Sequence, residues 1–189
     1  MYKGATMIKE KMNEAEVSLY IALYYIKNKL TIEDVYVAID GAHVKTGEDI
    51  HFDIKGFLRD SGLIKTDHDL ERWQGTYKIS DDLPGIIIHS KPGIGDVNIK
   101  TRDGKTIYVE SKKGDLTRKR GQEYPLMREA IGQLMTGIEL NDSIVPVVAV
   151  PYTEKSYTLA TKWSEYAQMK LIGIQFILVK EDGDIIKVV

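Results

Sequence analysis

Residues 92–114, PGIGDVNIKTRDGKTIYVESKKG, decide the predicted fold because they have the pattern of a β-hairpin. Apolar and polar residues alternate in both arms, which is the period-2 pattern of strands with one buried face. The alternating apolar positions are Val97 and Ile99 in the first arm and Ile107 and Val109 in the second. The interpretation of the rest of the chain starts from this hairpin.

The turn at residues 102–104, Arg-Asp-Gly, sets the register of the two arms. A two-residue Asp-Gly turn would place Val97 opposite Glu110 and mix apolar with polar side chains. A three-residue loop with Gly104 in the left-handed conformation instead places Val97 opposite Val109. We predict the second register, because it collects the apolar side chains on one face.

The polar face of the hairpin then brings two acids together. Asp96 falls opposite Glu110, with Cβ atoms about 5 Å apart, and Lys112 follows on the same face. Two carboxylates at that distance repel each other unless a cation lies between them, and Mg²⁺ prefers such oxygen ligands. Bound Mg²⁺ would polarise a phosphoryl oxygen, while the lysine would orient water or stabilise developing charge. Gly93 and Gly95 would leave room for a backbone phosphate.

The spacing of these residues resembles a known motif. Asp96, thirteen intervening residues and then Glu-Ser-Lys at 110–112 are similar to the motif of the PD-(D/E)xK nuclease superfamily, which has the restriction-endonuclease-like fold. Gly95 stands where a proline is common in that family. The resemblance covers residues 84–189.

The helix that follows the hairpin extends the resemblance. It carries Gln133, similar to the helix of resolvase-like and RecB-like members in which a glutamine points into the active site. The tyrosine found four residues later in some members is replaced by Gly137.

The resemblance implies a DNA endonuclease that depends on Mg²⁺, with Mn²⁺ as an alternative metal. Asp96 and Glu110 would hold the metal together with the backbone carbonyl of Ser111. Lys112 would position or activate the attacking water, and Gln133 would assist from the helix. Because each chain has one active site, cutting both strands of DNA predicts a homodimer.

The nuclease prediction has one structural and one functional alternative. Short motifs recur by chance: residues 53–55, Asp-Ile-Lys, also fit acid-x-Lys, although they lie in a helical pattern without a partner strand. The structural alternative for residues 96–112 is a solvated hairpin with a charged outer face. The functional alternative is a non-catalytic DNA-binding or regulatory protein that retains the nuclease scaffold.

Composition indicates a soluble globular protein. Of the 189 residues, 43% are hydrophobic and 29% charged, and cysteine is absent, which excludes disulfides and thiolate metal sites and predicts an intracellular, cytoplasmic protein. We expect no signal peptide and no membrane segment, because no apolar run is long enough. The four histidines are too scattered for a zinc motif. A net charge of −2 means that DNA binding must depend on local charge.

Residues 1–82 form the first predicted domain, which resembles a winged helix-turn-helix. We expect helices at 13–30, 31–41 and 47–62, followed by two short strands at 63–65 and 76–80. The third helix is poorly suited to bind DNA, because acidic residues outnumber basic residues along it. Contacts with DNA phosphates supply most of the affinity in such complexes. The domain therefore either reads DNA or packs against the nuclease core or a second subunit.

A rival partition assigns part of this region to the catalytic core. The nuclease fold usually has a helix before its first strand, and residues 81–84 leave no room for one. In the rival interpretation an N-terminal helix belongs to the core and Glu14 or Glu16 reaches the metal.

Residues 83–189 form the second predicted domain, a nuclease-like α/β (α+β) core with a central mixed sheet flanked by helices. Strands are expected at 85–90, 143–150, 174–179 and 185–189, with helices starting near Pro125 and at 153. Strand, helix and strand at this spacing imply a right-handed parallel crossover. On the first of these helices, Glu129 and Gln133 either share the active site or form an ordinary surface pair.

Basic residues cluster around and after the hairpin. Lys113, Arg118, Lys119 and Arg120 follow the motif, and Lys100, Arg102 and Lys105 lie in and beside the turn. A solvated loop is the plain interpretation of such a run. Its position beside the predicted metal favours contact with DNA phosphates for the first four residues.

Overall fold

The computed structural model describes residues 9–93, 95–117 and 121–189. Its helices are α1 Glu14–Lys27, α2 Gly41–Val44, α3 Ile54–Asp60, α4 Glu123–Gly137, α5 Glu154–Ser164 and α6 Ala167–Ile172. Its strands are β1 Lys11–Met12, β2 Val35–Ala38, β3 Lys45–Thr46, β4 Asp49–Ile50, β5 Ile64–Lys65, β6 Gly75–Lys78, β7 Ile86–His89, β8 Val97–Lys100, β9 Thr106–Ser111, β10 Gly114–Asp115, β11 Ile144–Pro151, β12 Gln175–Val179 and β13 Ile185–Val188.

Nine of these strands form one mixed sheet. Their order is β13-β12-β11-β9-β8-β2-β7-β6-β5. The pairs β9–β11, β11–β12 and β2–β7 are parallel, and the remaining pairs are antiparallel. The described residues therefore confirm a mixed α/β protein with a large mixed sheet, as the pattern of strands and helices predicts.

Helices cover the two faces of the sheet unequally. Helix α1 packs on one face, where it contacts β2, β8, β9, β11 and β12. On the other face α4 lies over β9 and β11, and α5 lies over β12 and β13. Alternate residues of the strands enter the two cores: Val97, Val109 and Val147 face α1, whereas Val148, Phe176 and Leu178 face α4 and α5.

The predicted hairpin register is confirmed. Val97 pairs with Val109 and Ile99 pairs with Ile107. The three-residue loop closes because Thr101 N–H donates to the Lys105 carbonyl at 2.9 Å and Gly104 has a φ of 81°. The apolar face is completely buried at Val97, which explains why the pattern specifies a single register.

The helix predicted at residues 31–41 is wrong, since residues 35–38 form strand β2. This strand lies between β7 and β8 in the middle of the sheet. Val35, Val37 and Ile39 are buried, and Tyr36 between them is exposed. That alternation is the period of a strand, and β-branched residues pack well on a pleated surface.

The third predicted helix begins later than expected. Residues 49–50 pair with residues 45–46 as a small hairpin, and only Ile54–Asp60 is helical. The two short strands after it are confirmed as β5 and β6. The helices of this region are therefore α1, the short α2 and α3, with β2 between the first two. The resemblance to a winged helix-turn-helix stays a prediction.

The sheet takes strands from both sides of residue 82. Strands β2, β5 and β6 come from residues 1–82, and the other six come from residues 83–189. This continuity agrees with the rival partition, in which an N-terminal helix lies against the strands of the core. Within the described ranges, no helix combines the length and hydropathy needed to cross a bilayer.

Candidate active site

The backbone around Asp96 holds this residue immediately before β8. Gly95 before it has a φ of 68°, and a Cβ there would lie 2.9 Å from the Val109 carbonyl oxygen. Asp96 N–H donates to that same oxygen at 2.7 Å, and Ala38 N–H donates to the Asp96 carbonyl at 2.8 Å. Glycine at position 95 therefore serves the backbone geometry, because it alone adopts this conformation at such close range without strain.

The Asp96 side chain turns toward the end of β9. Its Oδ2 accepts a hydrogen bond of 2.7 Å from the backbone N–H of Ser111. The Ser111 side chain points to the opposite face, where its Oγ accepts a 2.8 Å hydrogen bond from Ser18 of α1. Ser111 thus ties the aspartate to α1, while the predicted role of its carbonyl as a metal ligand stays a prediction.

Glu110 and Lys112 form a buried ion pair. Lys112 Nζ donates to Glu110 Oε1 at 2.9 Å, and the residues are 5% and 8% exposed respectively. The solvated-hairpin alternative is therefore wrong for this end of the strand. Burying a charged pair costs free energy unless its geometry is good, so a stable fold does not by itself account for these residues.

Burial and mutual repulsion shift the pKa values of the acids. Burial, together with the negative charge of Glu110, raises the pKa of Asp96 to about 8. Burial also raises the pKa of Glu110, although the hydrogen bond and charge of Lys112 oppose that shift. Burial alone would lower the pKa of Lys112, but the contact with Glu110 outweighs it and raises this pKa. Shifts of this kind are typical of functional sites.

Helix α4 supplies two more polar residues. Glu129 Oε1 lies 3.4 Å from Lys112 Nζ, and Gln133 lines a cavity together with Asp96 and Glu110. Residues four apart share one helix face, so both reach the site from one side. Both residues are exposed, so their shared role in the active site stays a prediction that these two contacts favour.

The N-terminal helix contributes Glu14 rather than Glu16. The negative charge of Glu14 contributes to raising the pKa of Asp96, Glu110 and Lys112, which indicates that it shares their electrostatic environment. Glu16 instead makes an ion pair with Lys9 on a buried side of the helix.

Sequence reasoning missed His43, whose Nδ1 lies 3.5 Å from Glu14 Oε1. A scattered set of four histidines gives no zinc motif, and the sequence pattern does not indicate that one of them lies beside an acid. The placement of α2 after strand β2 brings His43 there, so the signal lay in the strand pattern of residues 35–39.

These residues border a cavity of about 480 Å³. Asp96 and Glu110 lie on one wall and Gln133 on another. The end of β2 and the segment at residues 90–93 complete it, and Lys91 is the cation on that rim. A concave space in which several polar groups converge is the usual form of a binding site.

The donor set suits a hard divalent cation. Asp96 is pushed toward its neutral form by burial beside Glu110, which is the condition that a cation between two carboxylates relieves. Among the described residues, however, no group of three or more His, Cys, Asp or Glu is arranged to hold a metal ion. Asp96 and Glu110, which line the same cavity, are the candidate ligands, and Glu14 is a third candidate because its charge acts on both.

Of the four predicted phosphate-binding residues, the described part of the chain includes Lys113. Lys113 is exposed immediately after the ion pair, in keeping with a surface role. Arg118, Lys119 and Arg120 lie outside the described residues.

Comparison with known proteins finds no family model, curated protein or solved structure that matches this chain. The geometry of the site and the motif itself carry the functional interpretation.

Proposed function

We propose that the protein is a metal-dependent DNA endonuclease that hydrolyses phosphodiester bonds, with Mg²⁺ as its metal. One observation carries the proposal: Asp96 and Glu110 share a cavity, and Lys112 is buried against the second of them. A chain gains no stability from crowding acids in this way, because two carboxylates at one site raise each other's pKa. Such an arrangement is typical of sites built to receive a cation.

The roles of the side chains follow from their contacts. Asp96 and Glu110 would offer oxygen ligands, with Glu14 approaching from α1. Bound Mg²⁺ supplies Lewis acidity toward a phosphoryl oxygen and lowers the pKa of coordinated water. Lys112 stays protonated between Glu110 and Glu129, so its ammonium would stabilise negative charge on the phosphate or orient the attacking water. Gln133 would donate an amide N–H into the same cavity.

The raised pKa of Asp96 adds a constraint on metal binding. Because this pKa is about 8, the carboxyl group must lose a proton before it can ligate the cation. Metal affinity should therefore increase as the pH rises toward 8, and cleavage should increase with it.

The experiment is metal-dependent cleavage of supercoiled plasmid by four variants. Asp96→Asn and Lys112→Met should each cut at least about 100-fold more slowly than wild type. The exposed residues Asp142 and Lys162 supply matched controls, and Asp142→Asn and Lys162→Met should cut normally. Circular dichroism must accompany Lys112→Met, because that change leaves Glu110 buried without its cation. Normal cutting by both site variants would refute the assignment.

One observation favours a second candidate, a non-catalytic DNA-binding or regulatory protein on the same scaffold. Lys112 already neutralises Glu110 in the described structure, so the site is partly compensated without a metal. That candidate predicts DNA binding without any metal-dependent cutting. Parallel gel-shift and plasmid assays on the wild-type protein separate the two.

A further inference from the structure

A second cavity, of about 390 Å³, lies at the opposite end of the hairpin from the candidate active site. Lys105 lines it, and Lys105 precedes Glu110 by five residues (110 − 105) on the same arm. At roughly 3.3 Å per residue, the two ends are about 17 Å apart. A volume of this size is within the range of small-ligand sites.

The charge of the cavity is positive. Arg102, Lys105 and Lys187 line it, against one carboxylate from Asp103. That carboxylate accepts a hydrogen bond from the Thr101 hydroxyl, within the hairpin loop. Among the described residues, no salt bridge within 4 Å involves these three cations, although the Thr101 hydrogen bond and, less strongly, the charge of Lys105 lower the pKa of Asp103. Three cations around one concave space that holds a single carboxylate indicate a site for an anion.

Lys187 on strand β13 is held in position by aromatic residues. Its Nζ lies 4.4 Å from the ring centroid of Tyr25 and 5.2 Å from that of Tyr24, and it donates to the Tyr25 hydroxyl at 3.0 Å. Two ring faces and one oxygen restrict the amine, so less side-chain freedom is lost when a ligand binds.

Tyr25 completes the set of donors. Burial raises its pKa to about 12, so the hydroxyl keeps its proton at neutral pH. Because its oxygen accepts from Lys187, the hydroxyl hydrogen is left for another acceptor. Burial also lowers the pKa of Lys187, as expected for an amine without a carboxylate partner.

We propose that this cavity binds a phosphate group, with Lys187, Arg102 and Lys105 as its cations and the Tyr25 hydroxyl as a neutral donor. The guanidinium presents a fork of donors that matches phosphate oxygens, and the two amines act as point charges. Ile107 and Val145 on the cavity wall would contact the remainder of the ligand. The site is independent of the proposed nuclease function, since none of its residues belongs to the acidic cavity.

The phosphate has two sources with the same chemistry, a small phosphorylated molecule or the backbone of a nucleic acid. Titration calorimetry with inorganic phosphate and, separately, with a short DNA duplex distinguishes them. Both titrations are made in EDTA, with chloride at matched ionic strength as the reference. EDTA keeps divalent metal out of the acidic cavity, so metal-assisted binding there does not contribute.

The decisive variants are Lys187→Met, which keeps the apolar stem between the tyrosines, and Arg102→Gln, which changes an exposed residue. Each should weaken phosphate binding by about tenfold or more, the usual effect of losing a charged hydrogen bond. Lys162→Met, an exposed lysine on α5, is the control and should bind as wild type. If Lys187→Met fails to fold, phosphate binding by the variant Arg102→Gln, at an exposed position, is sufficient to test the proposal.

Parallel loss of duplex binding in the same variants would identify the nucleic-acid backbone as the source. Loss of phosphate binding with duplex binding unchanged would identify a small phosphorylated ligand. Wild-type affinity in the folded site variants, or no binding of either ligand beyond that of chloride, would overturn the proposal.

Discussion

Gly95 and Gly93 both precede the candidate metal ligand, yet only one of them is required by the backbone. A Cβ at position 95 would meet the Val109 carbonyl at 2.9 Å in a left-handed conformation, whereas a Cβ at position 93 would meet nothing within 4 Å. We expect Gly95→Ala to lower the free energy of unfolding by about 2 kcal/mol. Gly93→Ala should change it by less than about 0.5 kcal/mol. Urea denaturation measures both, and equal losses would contradict the close approach at Gly95.

The titration of Asp96 predicts a pH-dependent stability. Its pKa is about 8 in the folded protein against an ordinary 3.8, so between these values the folded state holds a proton that the unfolded state lacks. The stabilisation is complete below pH 4 and is lost as the pH rises through 8. Each pKa unit corresponds to about 1.4 kcal/mol, so the loss should reach several kcal/mol.

The measurement is urea denaturation of wild type and Asp96→Asn from pH 4 to pH 9 without metal. Asparagine keeps the shape and the acceptor oxygen for Ser111 N–H but does not titrate. The stability of the variant relative to wild type should rise across this range and then level off. Parallel curves would show that Asp96 ionises as it does in water.

Helix α1 and strand β9 are joined by one buried hydrogen bond between Ser18 and Ser111. Ser18→Ala should cost about 1–3 kcal/mol, because the Ser111 hydroxyl stays buried without this partner. The double variant with Ser111→Ala should cost clearly less than the sum of the two single changes, with a coupling energy of about 1 kcal/mol. A double-mutant cycle by urea denaturation tests this, and strict additivity would mean that the two hydroxyls do not hold the elements together.

Strand β2 shows why elements are harder to predict than turns. Four residues with alternating burial follow a plausible helix start at Thr31 and Asp34, and a short apolar run fits either period. Strands β7 and β8 pair with β2 on either side, and this pairing makes the segment a strand rather than a helix. The helix start predicted at residue 153 is confirmed, because the Thr153 hydroxyl caps α5 by accepting from Ser156 N–H within a local motif.

The whole molecule depends on β2 to join the two halves of its sheet. We expect residues 83–189 expressed alone to lack a cooperative unfolding transition, because removing β2 exposes the edges of β7 and β8. The full chain should unfold in a single transition. Circular dichroism and amide NMR spectra test this, and adding separately prepared residues 1–82 should restore dispersed signals. A cooperatively folded 83–189 fragment would instead support two domains.

Local pattern was enough to predict the hairpin and its register. Alternation has a period of two and the loop at residues 102–104 has few conformations, so neighbouring residues alone specify which side chains share a face. The same reasoning correctly placed α1, α4, β11 and β12 along the chain.

Only the folded chain decided which distant residues meet. The insertion of β2, the choice of Glu14 over Glu16, the contact of Glu129 with Lys112 and the position of Lys187 over Tyr25 all depend on strand order and helix packing. These arrangements bury apolar surface and pair backbone groups over the whole molecule. A short stretch of sequence does not specify them, because the partners come from distant parts of the chain.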